Sequence, residues 1–196
     1  MTTAVAMIPA RLGSTRLRRK NLALLAGKPL IAYAIEAAKA AGVFQRIVVN
    51  SESPLFAEIA QQYGAVFYRR PESLASSTAT SDEVVHDFAI HHTEDVVVWV
   101  NPIAPLQPAE EVRAVVTHFI QAGLDSLITV REEQVHCNFR GSPLNYTVAE
   151  RFARTQDLDP VERFVYSLMM WRRQAFLAQY ERHGQAMLFS DINCEF

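Results

Sequence analysis

The feature that narrows this chain most is a regular alternation between short apolar runs and helical periods. Ala4 to Ile8, Arg46 to Asn50, Ala65 to Tyr68, Val96 to Val100 and Ser126 to Val130 read as strands. Leu30 to Ala41, Leu55 to Tyr63, Ser81 to His91 and Ala109 to Ala122 read as helices. Strands and helices in this order build βαβ units, which give a mostly parallel sheet covered on both faces. Ile31, Ile35 and Ala38 share one stripe of the first helix, and Val112, Val115, Val116, Phe119 and Ile120 one stripe of the last, which marks their buried faces. The expected fold is α/β with three layers, α/β/α, in one domain over residues 1–196.

Between about Arg131 and Arg163 the alternation gives way to a polar, turn-rich stretch, and apolar character resumes at Val165 to Trp171. More than thirty residues without a packed element is long for a compact domain. An excursion from the sheet over about 131–165 is therefore expected.

The segment Ile8 to Asn21 carries five cationic side chains, Arg11, Arg16, Arg18, Arg19 and Lys20, directly after the first strand. Pro9 ends that strand and no helical period begins before Leu30, so the segment reads as a loop at a strand's carboxyl end. In open α/β sheets ligands bind at that edge. Guanidinium and ammonium groups suit phosphate oxygens, Gly13 permits close backbone approach, and Ser14 and Asn21 add neutral hydrogen bonds. The segment is not a Walker A motif, because Pro29 follows Gly27-Lys28, and there is no G-x-G-x-x-G. Taken alone, a segment so rich in Lys and Arg reads first as a solvated basic loop.

The positive charge is local. A formal net charge of −2 argues against a general nucleic-acid binder. No segment approaches the roughly 18 apolar residues of a membrane span. Cys137 and Cys194 form no metal or disulfide framework and suit a reducing cytoplasm, and His136 beside Cys137 does not make a catalytic pair. His86, His91 and His92 lack the spacing of helical metal ligands and read as a solvated helix end.

Ile8-Pro-Ala-Arg11, Ser14, Lys20-Asn21 and Gly27-Lys-Pro-Leu-Ile31 stand in one register, and together they resemble the nucleotide-binding signature of the acylneuraminate cytidylyltransferases (CMP-sialic acid synthetase-like enzymes). A second segment, Arg70 to Ser81, is similar to the stretch with which that family reads cytosine and ribose. Arg70, Ala79 and Ser81 occupy its positions; read without the family, it is a Ser/Thr-rich loop with Ser81 as a helix cap. The resemblance implies a nucleotide-diphospho-sugar transferase (Rossmann-like) sheet. It also implies a homodimer, with the 131–165 excursion as the arm exchanged between subunits.

The likeness thins toward the end of the chain. Asn101 stands where the family has Gln, Ile103 and Ala104 replace a Thr-Ser pair, and Gln107 replaces a frequent Arg. These changes remove hydroxyls and a cation from the acceptor-sugar wall. Arg154 and Arg163 remain as guanidinium groups for a sugar carboxylate. Ser190 to Phe196 resembles a motif whose two aspartates bind Mg²⁺; Asp191 matches the first, while Asn193 replaces the second with a weaker neutral ligand.

The resemblance therefore implies a Mg²⁺-dependent enzyme that activates an acidic, nonulosonic or related keto-acid sugar with CTP, giving CMP-sugar and pyrophosphate. Arg11, Ser14, Arg16 and Lys20 would hold the triphosphate, Asn21 the α-phosphate or ribose, Arg70, Ala79 and Ser81 the cytidine, and Asn101, Arg154 and Arg163 the sugar. Arg11, Lys20 and Asp191 would carry the chemistry. The alternatives are a homologue that binds nucleotide with weak or no turnover, and a transferase with another nucleotide and sugar.

Overall fold

The computed structural model describes residues 2–14, 17–148, 152–186 and 193–196. The elements begin with β1 (Ala4–Pro9), a 3-10 turn at Lys20–Leu22, the two-residue strands β2 (Leu24–Leu25) and β3 (Lys28–Pro29), and α1 (Leu30–Ala41). They continue through β4 (Arg46–Ser51), α2 (Leu55–Tyr63), β5 (Val66–Arg69), a 3-10 turn at Glu72–Ala75, α3 (Ser81–His91), β6 (Val96–Val100) and α4 (Ala109–Gln121). The last third comprises β7 (Ser126–Glu133), β8 (Asn138–Phe139), β9 (Ser142–Pro143), β10 (Val161–Arg172), α5 (Arg173–His183) and β11 (Cys194–Glu195).

The main sheet has seven strands in the order β11-β7-β10-β6-β1-β4-β5. β1 is parallel to β4 and β6, β4 to β5, and β7 to β11. Only β10 opposes its neighbours, β6 and β7. Successive residues of the central strands enter opposite cores. Ala4, Ala6 and Ile8 join Val96, Val98 and Val100 against α1, α2 and α4. Val5, Met7 and Val97 join Val85, Phe88 and Phe176 of α3 and α5. Two buried faces make each strand continuously apolar, which is why the runs were visible in the sequence.

The polar 131–165 stretch is more ordered than its composition implied. β7 continues to Glu133 and β10 begins at Val161, so the two strands run on together before the chain turns through the β8–β9 hairpin. Arg131, Glu132, Glu162 and Arg163 of this ribbon are exposed. With no face buried, the ribbon carries no apolar alternation to mark it as strand. The histidines also differ from expectation: His92 is buried and stacks on Phe88 with ring centroids 3.7 Å apart, and His86 stacks on Tyr180 at 4.0 Å. Burial holds the His92 imidazole below its ordinary pKa.

Candidate functional site

β1 is the strand from which the chain departs in one direction to β4 and β5 and to which it returns on the other side with β6. At such a switch point the loops after neighbouring strands diverge and leave a crevice at their carboxyl ends. A cavity of about 310 Å³ opens there. From the loop after β1 come Arg11, Ser14, Lys20 and Asn21; from the segment after β5, Arg70, Ala79 and Ser81; from the end of β6, Asn101. Every nucleotide-binding residue expected from the sequence therefore lines one cavity, except Arg16, which lies outside the described residues.

The two segments are tied to each other. Arg11 Nη1 donates to Ser76 O at 2.8 Å, bridging the first loop to the second. Arg70 is 5% exposed, donates from Nη2 to Ala10 O at 3.0 Å, and approaches Glu52 Oε2 at 3.4 Å. Burial pulls its guanidinium below the usual pKa, and Glu52 opposes that shift. Arg70 Nε is buried without a hydrogen-bond partner. Asn21, 7% exposed, is fixed in the 3-10 turn that follows Arg19, whose φ of 53° is left-handed. A Cβ on Gly13 would meet nothing within 4 Å, so packing inside the protein does not require glycine there.

The second segment ends by starting α3, and the cap is Thr80, correcting the assignment to Ser81. Thr80 Oγ1 accepts from Glu83 N at 3.2 Å while Glu83 Oε2 accepts from Thr80 N at 2.6 Å, a reciprocal capping box. Those bonds hold the Glu83 carboxyl below its ordinary pKa. Ser81, in the first helical position and exposed, is thereby free of the capping task. Ala79 N donates to Ser76 Oγ at 3.0 Å, so that amide is held inside the turn.

Among the described residues three cations, Arg11, Lys20 and Arg70, line the cavity and no carboxylate does, a charge that favours an anion. Trp99 and Ile103 also line it and were missed by sequence reasoning. Trp99 lay inside a run read only as strand, and its Nε1 is buried without a partner.

Comparison with known proteins agrees with this geometry. Residues 5–189 match the family described as Cytidylyltransferase. The chain belongs to the cytidylyltransferase family. It is 38% identical over 122 residues to an N-acylneuraminate cytidylyltransferase of Escherichia coli O18:K1:H7, covering 62% of this chain and 27% of the relative. It is 30% identical over 167 residues to one from Streptococcus agalactiae serotype III, covering 80% and 40%. A CMP-N,N'-diacetyllegionaminic acid synthase of Legionella pneumophila is 41% identical over 115 residues, covering 56% and 50%. The chain thus spans half or less of the length of these relatives. The fold is that of CMP:2-keto-3-deoxy-manno-octonic acid synthetase solved with CTP, with a TM-score of 0.70 over 92% of this chain and 78% of that one, at 18% identity.

The cavity does not gather the remaining expected residues. Asn193 sits where β11 begins: its carbonyl accepts from Asp125 N at 2.8 Å and Ser126 N at 3.2 Å, at the start of β7. β7 is parallel to β6, so this is the amino edge of the sheet. Through Trp171, Ser126 stands level with Val97, and β11 lies three strands from β6, about 14 Å across the sheet at about 4.8 Å per strand. Asn193 does not line the cavity. Asp191 lies outside the described residues. Mg²⁺ is usually bound through one or two carboxylates together with water and substrate phosphates, and the described lining has no carboxylate; no group of three or more His, Cys, Asp or Glu side chains placed to hold a metal occurs among the described residues. The described lining does not fit a protein-held Mg²⁺.

Arg154 is paired with Asp157 at 2.7 and 3.0 Å, and Arg163 with Glu133 at 3.0 and 2.8 Å. Both are exposed, and neither lines the cavity of its own chain. Among the described residues no helix is long and apolar enough to cross a membrane.

Proposed function

We propose that the chain binds CTP in this cavity and transfers its cytidylyl group to an acidic sugar. The observation that carries the reading is the convergence of Arg11, Lys20 and Arg70, with no carboxylate, at the switch point of a cytidylyltransferase-family sheet. Arg11 and Lys20, with Ser14 and Arg16, hold the triphosphate and offset the charge that grows on pyrophosphate as it leaves. Asn21 meets the α-phosphate or ribose. Arg70 and Ser81, with the backbone at Ala79, hold the cytidine. The sugar's anomeric hydroxyl attacks the α-phosphorus, and the bond to the β-phosphate oxygen breaks. Asn101 faces this exchange from the end of β6. The N-acylneuraminate, diacetyllegionaminic acid and 2-keto-3-deoxy-manno-octonic acid in the relatives' names support an acidic sugar as the acceptor.

Arg154 and Arg163 belong to the acceptor site only in a homodimer, in which the 131–165 arm of one subunit would reach the cavity of the other. Nucleotidyltransferases generally use a divalent metal. The described lining supplies no carboxylate for one, and Asp191 lies outside the described residues. Asn193, a neutral amide where the resembled motif has its second aspartate, favours a second reading, nucleotide binding without turnover. Two free thiols, Cys137 and Cys194, suit a cytoplasmic setting.

Pyrophosphate release is to be measured with CTP, Mg²⁺ and a panel of nonulosonic and octulosonic acids, and CTP affinity by calorimetry. Lys20→Ala should lower CTP affinity about tenfold or more. Tight CTP binding without pyrophosphate release selects the second reading, and unchanged affinity in Lys20→Ala removes the basis of both.

A further inference from the structure

Glu52 follows β4 at the same edge of the sheet as the cavity but does not line it. Its side chain is only 12% exposed. Oε1 accepts from Leu12 N, in the turn that opens the basic loop, at 2.9 Å. Oε2 accepts from Ser51 Oγ at 3.3 Å and lies 3.4 Å from Arg70 Nη2. One carboxylate thus grips both the phosphate-side loop and the guanidinium on the cytidine side. A second cavity, of about 470 Å³, lies against Glu52 and Arg70 and is lined also by Tyr68, Asp87 and His91. Arg70 lines both cavities although its side chain is only 4% exposed, so its guanidinium is enclosed between them and needs partners. Those partners are Ala10 O and Glu52.

We propose that Glu52 is a positioning residue that fixes the distance between the basic loop and Arg70, so that the triphosphate and cytidine ends of one nucleotide are met together. A buried carboxylate paired with a buried guanidinium contributes little net stability, because both must be desolvated; what such a pair fixes is arrangement. The proposal rests on the nucleotide reading of the cavity.

The test compares binding of CTP and of inorganic tripolyphosphate by calorimetry in wild type, Glu52→Gln and Glu52→Ala. Glu52→Gln keeps an oxygen for Leu12 N but turns an amide NH₂ toward Arg70. It should leave tripolyphosphate affinity within about threefold and weaken CTP about tenfold or more. Glu52→Ala frees the loop as well and should weaken both ligands about tenfold. If the alanine variant does not fold, the isosteric glutamine variant carries the test. A cycle of Glu52→Gln with Arg70→Lys should be strongly non-additive for CTP. Equal losses of the two ligands in Glu52→Gln, additive losses in the cycle, or variants within twofold of wild type would overturn the positioning role while leaving the nucleotide site intact. Wild-type protein that binds neither ligand would instead overturn the nucleotide reading, and the proposal with it.

Discussion

Replacing Arg70 by Met tests whether the guanidinium is an anchored part of the site or a tolerated burial. Methionine keeps an apolar stem of similar length and removes the charge. Two interactions are lost: the charge-assisted bond from Nη2 to Ala10 O, and the cation beside the mostly buried Glu52 carboxylate. The first is worth about 1.5–3 kcal/mol. Leaving a fully buried partner unpaired costs about 3–5 kcal/mol, but Glu52 sits 3.4 Å away and keeps Leu12 N, so about 2 kcal/mol is appropriate. Against this, the variant relieves the desolvation of a residue that is 5% exposed and the unpaired Nε, a gain of about 2 kcal/mol. The net loss is about 2 kcal/mol, and the thermal midpoint should fall by about 4–8 °C for a chain of this size. Circular dichroism melts with and without CTP measure both roles. At a hundredfold excess over Kd, CTP should stabilise wild type by about 2.7 kcal/mol and the variant far less. A variant that melts at or above the wild-type temperature would refute the anchoring argument. An undiminished CTP shift in the variant would remove Arg70 from the nucleotide site.

Thr80→Ala should remove the α3 cap and lower stability by about 1 kcal/mol, whereas Ser81→Ala should change it by less than about 0.5 kcal/mol yet weaken CTP; equal melting losses would return the cap to Ser81. CTP should change tryptophan fluorescence through Trp99, which lines the cavity, and not through Trp171, which is 1% exposed in the core. Trp99→Phe should abolish the signal, and its survival would place the reporter elsewhere. Arg46 holds the Glu94 carboxyl below its ordinary pKa through a bidentate pair, with Nη2 to Oε2 at 2.7 Å. A depressed folded pKa gives stability that is present above the unfolded value, about 4.3, and lost as pH falls below it. The melting difference between wild type and Glu94→Gln should therefore be full at neutral pH and shrink below about pH 4. A difference unchanged down to about pH 2 would contradict that linkage.

Two kinds of information were present in the sequence with different completeness. Periodicity located what is buried: α1, α2, α3 and β6 begin and end where their apolar patterns do, at Leu30–Ala41, Leu55–Tyr63, Ser81–His91 and Val96–Val100. The phosphate-side chemistry was legible for a related reason, since Arg11, Ser14, Lys20 and Asn21 lie within one loop and local spacing limits where they can go. Arg70, Ala79 and Ser81 were recognised by motif, and the crossing of the chain at β1 brings them to the same cavity.

What remained hidden depends on partners distant in sequence. The exposed ends of β7 and β10 are strands because they pair with each other, not because of any alternation in their residues. The Thr80 cap is an exception, because Thr80-x-x-Glu83 is a local capping-box spacing that the sequence itself carries. Asn193 shares a motif with metal ligands, yet the parallel pairing of β11 with β7 carries it to the amino edge of the sheet. Glu52 is an unremarked carboxylate in the sequence; only the fold brings Leu12 N and Arg70 to its two oxygens. Burial pattern and loop chemistry are local properties, written in consecutive residues. Strand order, and which distant side chains share a hydrogen bond, are decided when the chain closes on itself.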